Sequence, residues 1–346
     1  MTSVTVCVPA YNAAGMIAET LDSVLRQTFT DFRVVISLDR SDDDSERVCR
    51  RYLADPRFEL VVQRDRLGWV GNVNALIARV ETPFFCILPH DDVLDAAYLE
   101  SLYRVAAADP AIACVYSDIR GFGAESPSVV QEDIRGARLD RVLDFFVNHF
   151  GAVAFRGLVR RTPPNDRLFL PTGLRRDFAA DTVWLLTLAM RGELRRVPEP
   201  LYAKRYGPDT VHAAWHRWPR DEMLRLWGEQ AGACARMAVD TLDAQDDLLL
   251  AAALFRALGI GRIAPGFPPP TGAVERATVT AAFSEALGGL RVPADLPALL
   301  ARHEARLLRV AIKDRIWHER RPSLAQRVRW RLFENSCIDD LRYVMA

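Results

Sequence analysis

The sequence predicts an α/β fold with a mostly parallel sheet and helices on both faces, followed by a helical C-terminal region. Short apolar runs alternate with segments that carry apolar residues at helical spacing through the first 120 residues, which is typical of α/β folds. The short runs are continuously apolar, as expected of strands that are buried on both faces. After about residue 215 only helical patterns remain.

Each predicted element has its own local signal. Apolar, β-branched runs predict strands at 4–8, 32–38, 58–62, 84–88 and 112–116, and helical spacing predicts helices at 14–26, 45–54, 70–80 and 95–108. The pattern weakens between 120 and 150, where Gly121, Gly123 and Pro127 indicate a loop. Further strands are predicted at 153–159, 194–197 and 201–205, and a helix at 181–191 that Gly192 ends as a C-terminal cap.

The C-terminal part is predicted to be helical at 218–242, 244–258, 273–287, 294–317 and 324–333. A linker rich in glycine and proline separates two of these helices at 259–272. We therefore predict one domain at 1–215 and a helical region at 216–346, which would contact an acceptor, a membrane surface or another subunit.

Composition narrows the classes of function. The 346 residues include 45 basic and 45 acidic side chains, and this balance disfavours a nucleic-acid partner. All but two of the basic residues are arginines, the exceptions being Lys204 and Lys313. The six cysteines include no C-x-x-C pair, which fits buried thiols in a reducing compartment. With no long apolar run or leader pattern, we expect a cytoplasmic protein, with peripheral contact at the inner face of a membrane left open.

Two neighbouring carboxylates follow the apolar run at 84–88, in the segment His90-Asp91-Asp92. Adjacent carboxylates repel one another, and a divalent cation that bridges to a diphosphate would relieve that repulsion. Ligands bind at the carboxyl ends of the strands in parallel α/β sheets, which favours a metal or diphosphate site at Asp91 and Asp92. The alternative is that Asp92 caps the next helix and Asp91 is solvated.

Other polar residues follow strands in the same way. Asp39 follows its strand and could accept the imide N–H of uracil, or it could serve as a turn acid. Tyr11 could stack on a base and Asn12 could bond it, or both could belong to a turn after Pro9. Gly68, Asn72 and Asn74 lie where a loop enters a helix, where backbone N–H groups could meet phosphate or simply cap the helix.

Five segments taken together resemble the family-2 GT-A glycosyltransferases, whose fold is Rossmann-like. They are Val-Pro-Ala-Tyr-Asn at 8–12, Gln27-Thr28, the segment 34–43, Gly68 through Asn74, and Leu-Pro-His-Asp-Asp-Val-Leu at 88–94. They occur in family order, and the resemblance covers residues 3–206. It implies an enzyme that uses a nucleotide-sugar donor and a divalent metal, Mn²⁺ or Mg²⁺.

The resemblance also implies roles for single residues. Pro9, Tyr11 and Asn12 match the first nucleotide-contact loop, Asp39 the acid that contacts the base, Asp43 the acid that ends that run, and Asn74 the Asn of an Arg-Asn element. Asp91 matches the last acid of the D-x-D motif, which holds the metal and the diphosphate, and Asp92 the acid that often follows it. Four departures weaken the match. Pro89 replaces the first acid of D-x-D, and Leu38 replaces the first acid of the Asp-Asp pair. Arg40 replaces the Gly that usually follows that pair, and Val73 replaces the Arg of the Arg-Asn element.

An inverting transfer needs a base that takes the proton of the acceptor hydroxyl. The family places an Asp, often after Glu, at the start of a late helix, and Asp181 occupies that place with Ala180 before it. The alternative is that Asp181 only caps the helix, and Asp177 is the second candidate base. His212 matches a late metal-binding histidine of some GT-A enzymes, although a surface histidine is the simpler interpretation.

These observations predict an inverting glycosyltransferase that moves a sugar, from UDP-sugar first among donors, to a saccharide or glycolipid acceptor. Two other functions remain open. A nucleotidyltransferase would use a similar acidic metal site, but the loop 9–15 carries no basic residue to hold a triphosphate. A non-catalytic nucleotide- or sugar-binding module is the third candidate, because Pro89 and Ala180 replace acids of the family pattern.

Overall fold

The structure is a computed structural model that describes residues 2–148, 152–161, 168–207, 217–242, 247–259, 269–290, 293 and 295–319. The chain forms two compact units. One comprises Met1–Arg135 with Ala152–Ala214, and the other comprises Gly136–Gly151 with Trp215–Ala346. The short segment Gly136–Gly151, which lies inside the predicted first domain, thus belongs with the C-terminal helices.

A single mixed sheet forms the centre of the first unit. Its strands are β1 (Val4–Ala10), β2 (Phe32–Leu38), β3 (Phe58–Val62), β4 (Phe84–Ile87), β5 (Val93–Leu94), β6 (Ile112–Gly123), β7 (Ser128–Val129), β8 (Leu158–Arg160) and β9 (Glu193–Tyr206). Their order is β3-β2-β1-β4-β8-β6-β9-β5, with β7 on β6. The pairings give β1, β2, β3, β4, β6 and β9 one common direction, and only the short β5, β7 and β8 oppose it. The prediction of a mostly parallel sheet is confirmed.

Helices cover both faces of this sheet, as predicted. The helices of the unit are α1 (Ile17–Leu25), α2 (Ser45–Arg50), α3 (Gly68–Ile77), α4 (Tyr98–Ala108) and α6 (Ala180–Arg191). Neighbouring residues of a strand point to opposite faces, and Phe84 packs on Tyr103 of α4 whereas Phe85 packs on Trp184 of α6. The strands are apolar throughout because both of their faces are buried: the side chains of β2 from Val34 to Leu38 are all buried.

The predictions for residues 153–159 and 194–205 were wrong in detail. Val153–Arg156 forms a 3-10 turn and only Leu158–Arg160 is a strand. The two short strands predicted around Pro198 and Pro200 are one strand, β9, in which the pairing with β6 shifts between Val197 and Tyr202. Prolines cannot donate to a ladder, so this irregular stretch accommodates both of them.

Gly192 ends α6 for a reason that the prediction did not foresee. Its φ of −166° is extended, so it is not a left-handed cap. A Cβ at this position would lie 2.4 Å from the carbonyl oxygen of Ala111. The glycine is therefore required by the close approach of the α6–β9 turn to the chain before β6.

The second unit is a bundle of helices, which agrees with the helical patterns after residue 215. It contains α5 (Arg138–Asn148), α7 (Arg220–Leu242), α8 (Asp247–Leu258), α9 (Gly272–Leu287) and α10 (Leu296–Glu319). The helix α5 was missed by the sequence analysis, which expected a loop there. Every residue of α8 from Leu248 to Leu258 is buried. Gly228 and Gly232 let α7 approach α9 closely, since a Cβ there would lie 2.4 Å and 2.6 Å from the nearest atoms of α9.

Predictions about membrane-spanning helices, cysteines and two C-terminal features can be compared with the described residues. Among the described helices, none is both long enough and apolar enough to cross a membrane. Cys7, Cys86 and Cys114 are buried free thiols in strands, as expected. His212 and the helix predicted at 324–333 lie outside the described residues.

Candidate active site

The loops that follow β1 and β2 are joined by hydrogen bonds. The N–H of Asn12 donates to Ser41 Oγ (3.0 Å), and the N–H of Asp42 donates to Asn12 Oδ1 (2.9 Å). Asp43 accepts the N–H of Ala14 (2.9 Å). Asn12 has a φ of 45°, a conformation that asparagine tolerates better than most residues. The side chains of Asn12 and Asp43 therefore hold the two loops together, whatever they also contact in a complex.

Asp39, the predicted base contact, is 1% exposed at the end of β2. Its Oδ2 pairs with Arg66 Nε (3.0 Å) and its Oδ1 accepts the N–H of Leu67 (2.6 Å). The guanidinium of Arg66 lies over the ring of Tyr11, 3.0 Å from the centroid. A base that stacks on this face of Tyr11 must displace Arg66. The predicted roles of Tyr11 and Asp39 thus require a rearrangement that the sequence did not reveal.

The predicted phosphate loop at the start of α3 contains one glycine with a left-handed backbone and two bonded asparagines. Gly68 has a φ of 73°, which a residue with a side chain rarely adopts. Asn72 is buried and exchanges two hydrogen bonds with Ser37 (2.6 and 3.0 Å). Asn74, a predicted donor contact, uses both atoms of its amide on the backbone of Leu170 (2.8 and 3.0 Å). Asn74 therefore anchors the chain at Leu170 to α3.

Asp91 and Asp92 lie in the turn between β4 and β5, at the carboxyl end of β4. Asp92 is 2% exposed, and its Oδ2 accepts the hydroxyl of Tyr202 (2.7 Å) and Arg156 Nε (3.2 Å), while its Oδ1 accepts the N–H of Arg205 (2.9 Å). The side chain of Asp91 is only half-buried. Within the described part of the chain, its carboxylate makes no hydrogen bond or ion pair to another residue.

These contacts exclude one of the two predicted roles of Asp92. It does not cap α4, whose capping residue is Ala97. Both of its oxygens already have partners, so a metal on Asp92 would share these oxygens with the contacts that hold β9 to the turn. Among the acids of this turn, Asp91 is the one whose carboxylate has no partner in another described residue, and coordination by Asp92 stays a prediction. Pro9 is predicted to contact the nucleotide. Its carbonyl oxygen accepts a hydrogen bond from His90 Nδ1 at 3.3 Å.

Asp181 lies in the first turn of α6 and is half-buried. Burial raises the pKa of its carboxyl, and the N–H of Thr182 (2.8 Å) together with the charges of Arg156 and Lys204 offset this only in part. The capping position itself is held by Ala179, not by Asp181. A carboxylate in this setting is a stronger base than a solvated one, as a proton acceptor at neutral pH requires.

The segment before α6 has an unusual backbone. Arg176, Asp177 and Ala179 all have positive φ, at 55°, 53° and 49°. Left-handed backbone at residues other than glycine is uncommon and persists where the surroundings enforce it, which happens often at functional sites. Burial also raises the pKa of Asp177, the second candidate base.

The structure adds residues that the sequence analysis did not assign. We call Asp91, Arg156, Asp181 and Lys204 the transfer cluster, because their charges act on one another at the ammonium of Lys204. The charge of Asp92 also acts on this ammonium, but Asp92 is set apart because its oxygens are bonded to Arg156 and to β9. Burial, followed by the charge of Arg156, lowers the pKa of Lys204 to about 8. No local motif marks Arg156 or Lys204, since Asp92 lies 64 residues from Arg156 in the sequence. The sole signal was that Lys204 is one of two lysines in an arginine-rich chain.

The groups present fit a metal that is shared with a substrate. Within the described residues, no group of three or more His, Cys, Asp or Glu side chains could hold an ion. Mg²⁺-type sites in nucleotide enzymes commonly use one or two carboxylates, with substrate phosphates and water as the other ligands. The carboxylate of Asp91, which makes no hydrogen bond or ion pair to another described residue, matches that smaller donor set.

Comparisons with known proteins agree with this geometry. Residues 5–162 match the model of the family described as glycosyl transferase family 2. A chondroitin synthase of Escherichia coli is 31% identical over 124 residues, which are 35% of this chain and 18% of that protein. The match thus spans less than a fifth of the relative's length.

Solved structures extend the similarity of fold over most of the chain. The structure of S. aureus TarS 1-349 in complex with UDP-GlcNAc has a TM-score of 0.62 at 18% identity, covering 90% of this chain and 88% of that one. The mannosyltransferase PcManGT from Pyrobaculum calidifontis, in complex with GDP-Man and Mn²⁺, has a TM-score of 0.51 at 20% identity over 88% of this chain and 80% of that one. The predicted GT-A fold is confirmed.

Proposed function

Because residues 5–162 match the model of glycosyl transferase family 2 and the chain has the GT-A fold, we propose that it transfers a sugar from a nucleotide-sugar donor to a hydroxyl group of an acceptor. One observation carries the proposal: the transfer cluster combines a half-buried acid, Asp181, with the Asp91 carboxylate and two cations. Such a cluster can bind a diphosphate and accept a proton within one site.

A UDP-sugar is the donor that we propose first. Tyr11 offers an aromatic face and Asp39 a buried carboxylate for the imide N–H of uracil, once Arg66 has moved from both. TarS, which shares the fold, has been solved with UDP and with UDP-GlcNAc. PcManGT was solved with GDP-Man, so a guanine nucleotide is the second donor to test.

Asp91 would hold the divalent metal, Mn²⁺ or Mg²⁺, together with the diphosphate of the donor. Bound there, the metal would neutralise charge that grows on the leaving nucleoside diphosphate. Asp92 acts indirectly, since it ties Tyr202 and Arg205 of β9 to the turn that presents Asp91.

Asp181 is the proposed general base. Its carboxylate would take the proton of the acceptor hydroxyl while that oxygen bonds to the anomeric carbon, and the bond from that carbon to the β-phosphate oxygen breaks. Attack from the side opposite the leaving group inverts the anomeric configuration. The raised pKa of Asp181 supports this role because it makes the carboxylate more basic.

The acceptor is proposed to be a saccharide or glycolipid, and nucleic acid is not proposed. Names among the relatives, such as chondroitin synthase and hyaluronan synthase, refer to polysaccharide products of those proteins. We propose a cytoplasmic protein, and peripheral contact with the inner face of a membrane is the addition to test.

Replacing the proposed base tests the function directly. Asp181→Asn keeps the shape of the side chain but removes the proton acceptor, so turnover should fall by about 10²- to 10⁴-fold. Donor affinity should change by less than about threefold, because the base contacts the acceptor. Turnover follows from the release of UDP from UDP-sugars with an acceptor panel, and affinity from calorimetry with UDP. Asp177→Asn is the matched control, with activity near that of the wild type; near-normal turnover in Asp181→Asn would refute the assignment.

A panel of UDP, GDP, CDP, TDP and ATP with Mn²⁺, Mg²⁺ or EDTA separates the remaining functions. A ligand that binds only the folded state raises the melting temperature. Metal-dependent stabilisation by one nucleoside diphosphate, lost in Asp91→Ala, is expected. Stabilisation by ATP alone would favour a nucleotidyltransferase, and binding without turnover over many acceptors would favour a non-catalytic module.

A further inference from the structure

Lys204 is a lysine at a place where arginine would be the ordinary choice of this chain. All but two of its 45 basic residues are arginines. Arginine binds anions as a planar fork, whereas lysine is a compact point charge that suits a single oxygen. A lysine on β9 between Tyr202 and Tyr206 therefore points to a requirement for a small, single charge.

The position of Lys204 on β9 directs its side chain toward the candidate active site. Side chains two residues apart lie on the same face of a strand, so Tyr202, Lys204 and Tyr206 share one face. The hydroxyl of Tyr202 donates to Asp92 Oδ2 at 2.7 Å, which shows that this face meets the turn of Asp91 and Asp92. The ammonium of Lys204 lies 4.6 Å from the centre of the Tyr206 ring.

The ammonium has charged neighbours but no close acceptor. Among the residues that the structure describes, Lys204 makes no hydrogen bond or ion pair, and its ammonium lies over the ring of Tyr206. Asp91, Asp92 and Asp181 attract its charge, and Arg156 repels it. A partly buried ammonium whose three donors lack acceptors is costly, so an anion brought by a ligand would stabilise this arrangement.

We propose that the ammonium of Lys204 binds the β-phosphate of the sugar-nucleotide donor, which rests on the function proposed above. Asp91 is the candidate site for the diphosphate and Asp181 the candidate base near the anomeric carbon, and Lys204 interacts with both. In the donor, the β-phosphate is one half of the diphosphate and is also the group bonded to the anomeric carbon. Lys204 therefore lies where the leaving group forms.

This role also accounts for the proline in the D-x-D motif. Pro89 stands where the family has its first acid, so the site has one carboxylate fewer for a metal. When the bond between the anomeric carbon and the β-phosphate oxygen breaks, its electron pair stays on that oxygen and adds one negative charge to the nucleoside diphosphate. The ammonium of Lys204 would stabilise that charge directly, while the proton of the acceptor passes to Asp181.

Equilibrium binding of nucleotides with and without the β-phosphate tests the proposal. Calorimetry with UDP and UMP, and with GDP and GMP as the second pair, would be run in EDTA and in Mg²⁺ on the wild type, Lys204→Met and Lys204→Gln. A lost charge-assisted contact should weaken binding of the diphosphate by about tenfold to a hundredfold. Binding of the monophosphate should change by less than about threefold.

Two further variants separate direct contact from a structural effect. Lys204→Arg should recover only part of the affinity for the diphosphate in EDTA, since it restores the charge but not the compact ammonium. Arg195→Met, on the same strand and ion-paired with Glu193 and Asp133, should leave both affinities unchanged. Equal loss of UDP and UMP in the folded Lys204→Met and Lys204→Gln proteins, or no loss of either, would overturn the role of Lys204. A wild-type protein that binds neither UDP nor GDP would instead refute the donor site itself.

Discussion

The loops that would receive the nucleoside and the cluster that would carry out transfer differ in how their polar groups are bonded. In the nucleoside loops, Asn12, Asp39 and Asn74 all have partners within the protein. In the transfer cluster, Arg156 is paired with Asp92. Neither the Asp91 carboxylate nor the Lys204 ammonium has a hydrogen bond or ion pair to another described residue, and the one described partner of Asp181 is its neighbour Thr182. The motif residues thus divide into those that shape the site and those that are left to react.

This difference has a physical reason. A buried polar group without a partner costs free energy, and a ligand that bonds to the group offsets that cost. The nucleoside loops need a fixed shape, and hydrogen bonds between loops provide it. The transfer cluster needs charges that can respond to a phosphate and a proton, and those charges are kept from pairing with one another.

Replacing Asp92 should give the largest effect on stability, because Asp92 belongs to the motif but both of its carboxylate oxygens are hydrogen-bonded. Asp92→Ala would leave the guanidinium of Arg156, whose side chain is 16% exposed, without its carboxylate, and removal of one partner of a largely buried ion pair costs up to about 3–5 kcal/mol. We expect the free energy of unfolding in urea to fall by that amount.

The neighbouring Asp91→Ala is the matched control for this experiment. Its carboxylate lacks a described partner, so the free energy of unfolding should change by less than about 1 kcal/mol. Metal-dependent binding of the nucleoside diphosphate should be lost instead. The division of roles fails if the two variants lose similar stability, or if Asp92→Ala keeps the stability of the wild type.

Asn74 gives a smaller effect of the same kind. Asn74→Ala removes two hydrogen bonds to the backbone of Leu170, and groups left unsatisfied in this way cost about 1–3 kcal/mol. We expect a loss of stability in that range by urea unfolding, with affinity for UDP within about threefold of the wild type. A loss of UDP affinity at unchanged stability would instead establish Asn74 as a donor contact. Asn72→Ala, on the same helix and bonded to Ser37, is the structural reference.

The parallel part of the fold could be predicted from the sequence because its signals are local. The strands at 32–38 and 58–62 have the predicted bounds, since each is a continuous apolar run between polar turns. The helix α5 was missed although Leu139, Val142, Leu143 and Phe146 recur at helical spacing. It was predicted as a loop because Gly121, Gly123 and Pro127 precede it.

The chemistry of the site was less accessible for a different reason. The motif showed that Asp91 and Asp92 follow β4, but their different roles depend on β9, whose Tyr202 lies 110 residues from Asp92 in the sequence. The 3-10 turn that presents Arg156 was likewise predicted as a strand. Contacts between such distant segments arise from sheet topology, which leaves no local pattern at either end.

The smallest expected effect is on how the free energy of unfolding depends on pH. This dependence decides whether Asp181 is the general base or only stabilises the start of α6. Burial raises its pKa in the folded state, whereas an aspartate in the unfolded chain titrates near about 4. The folded protein therefore binds this proton more tightly, and the associated stability is present below about pH 4 and is lost as pH rises through the raised pKa. Asp181→Asn lacks this loss, so it should become more stable relative to the wild type as pH rises over that range. Urea unfolding of both proteins from pH 4 to 8 measures the difference. If Asp181 only stabilised the start of α6 through Thr182, the variant would be the less stable protein at pH 7, and its deficit would grow with pH.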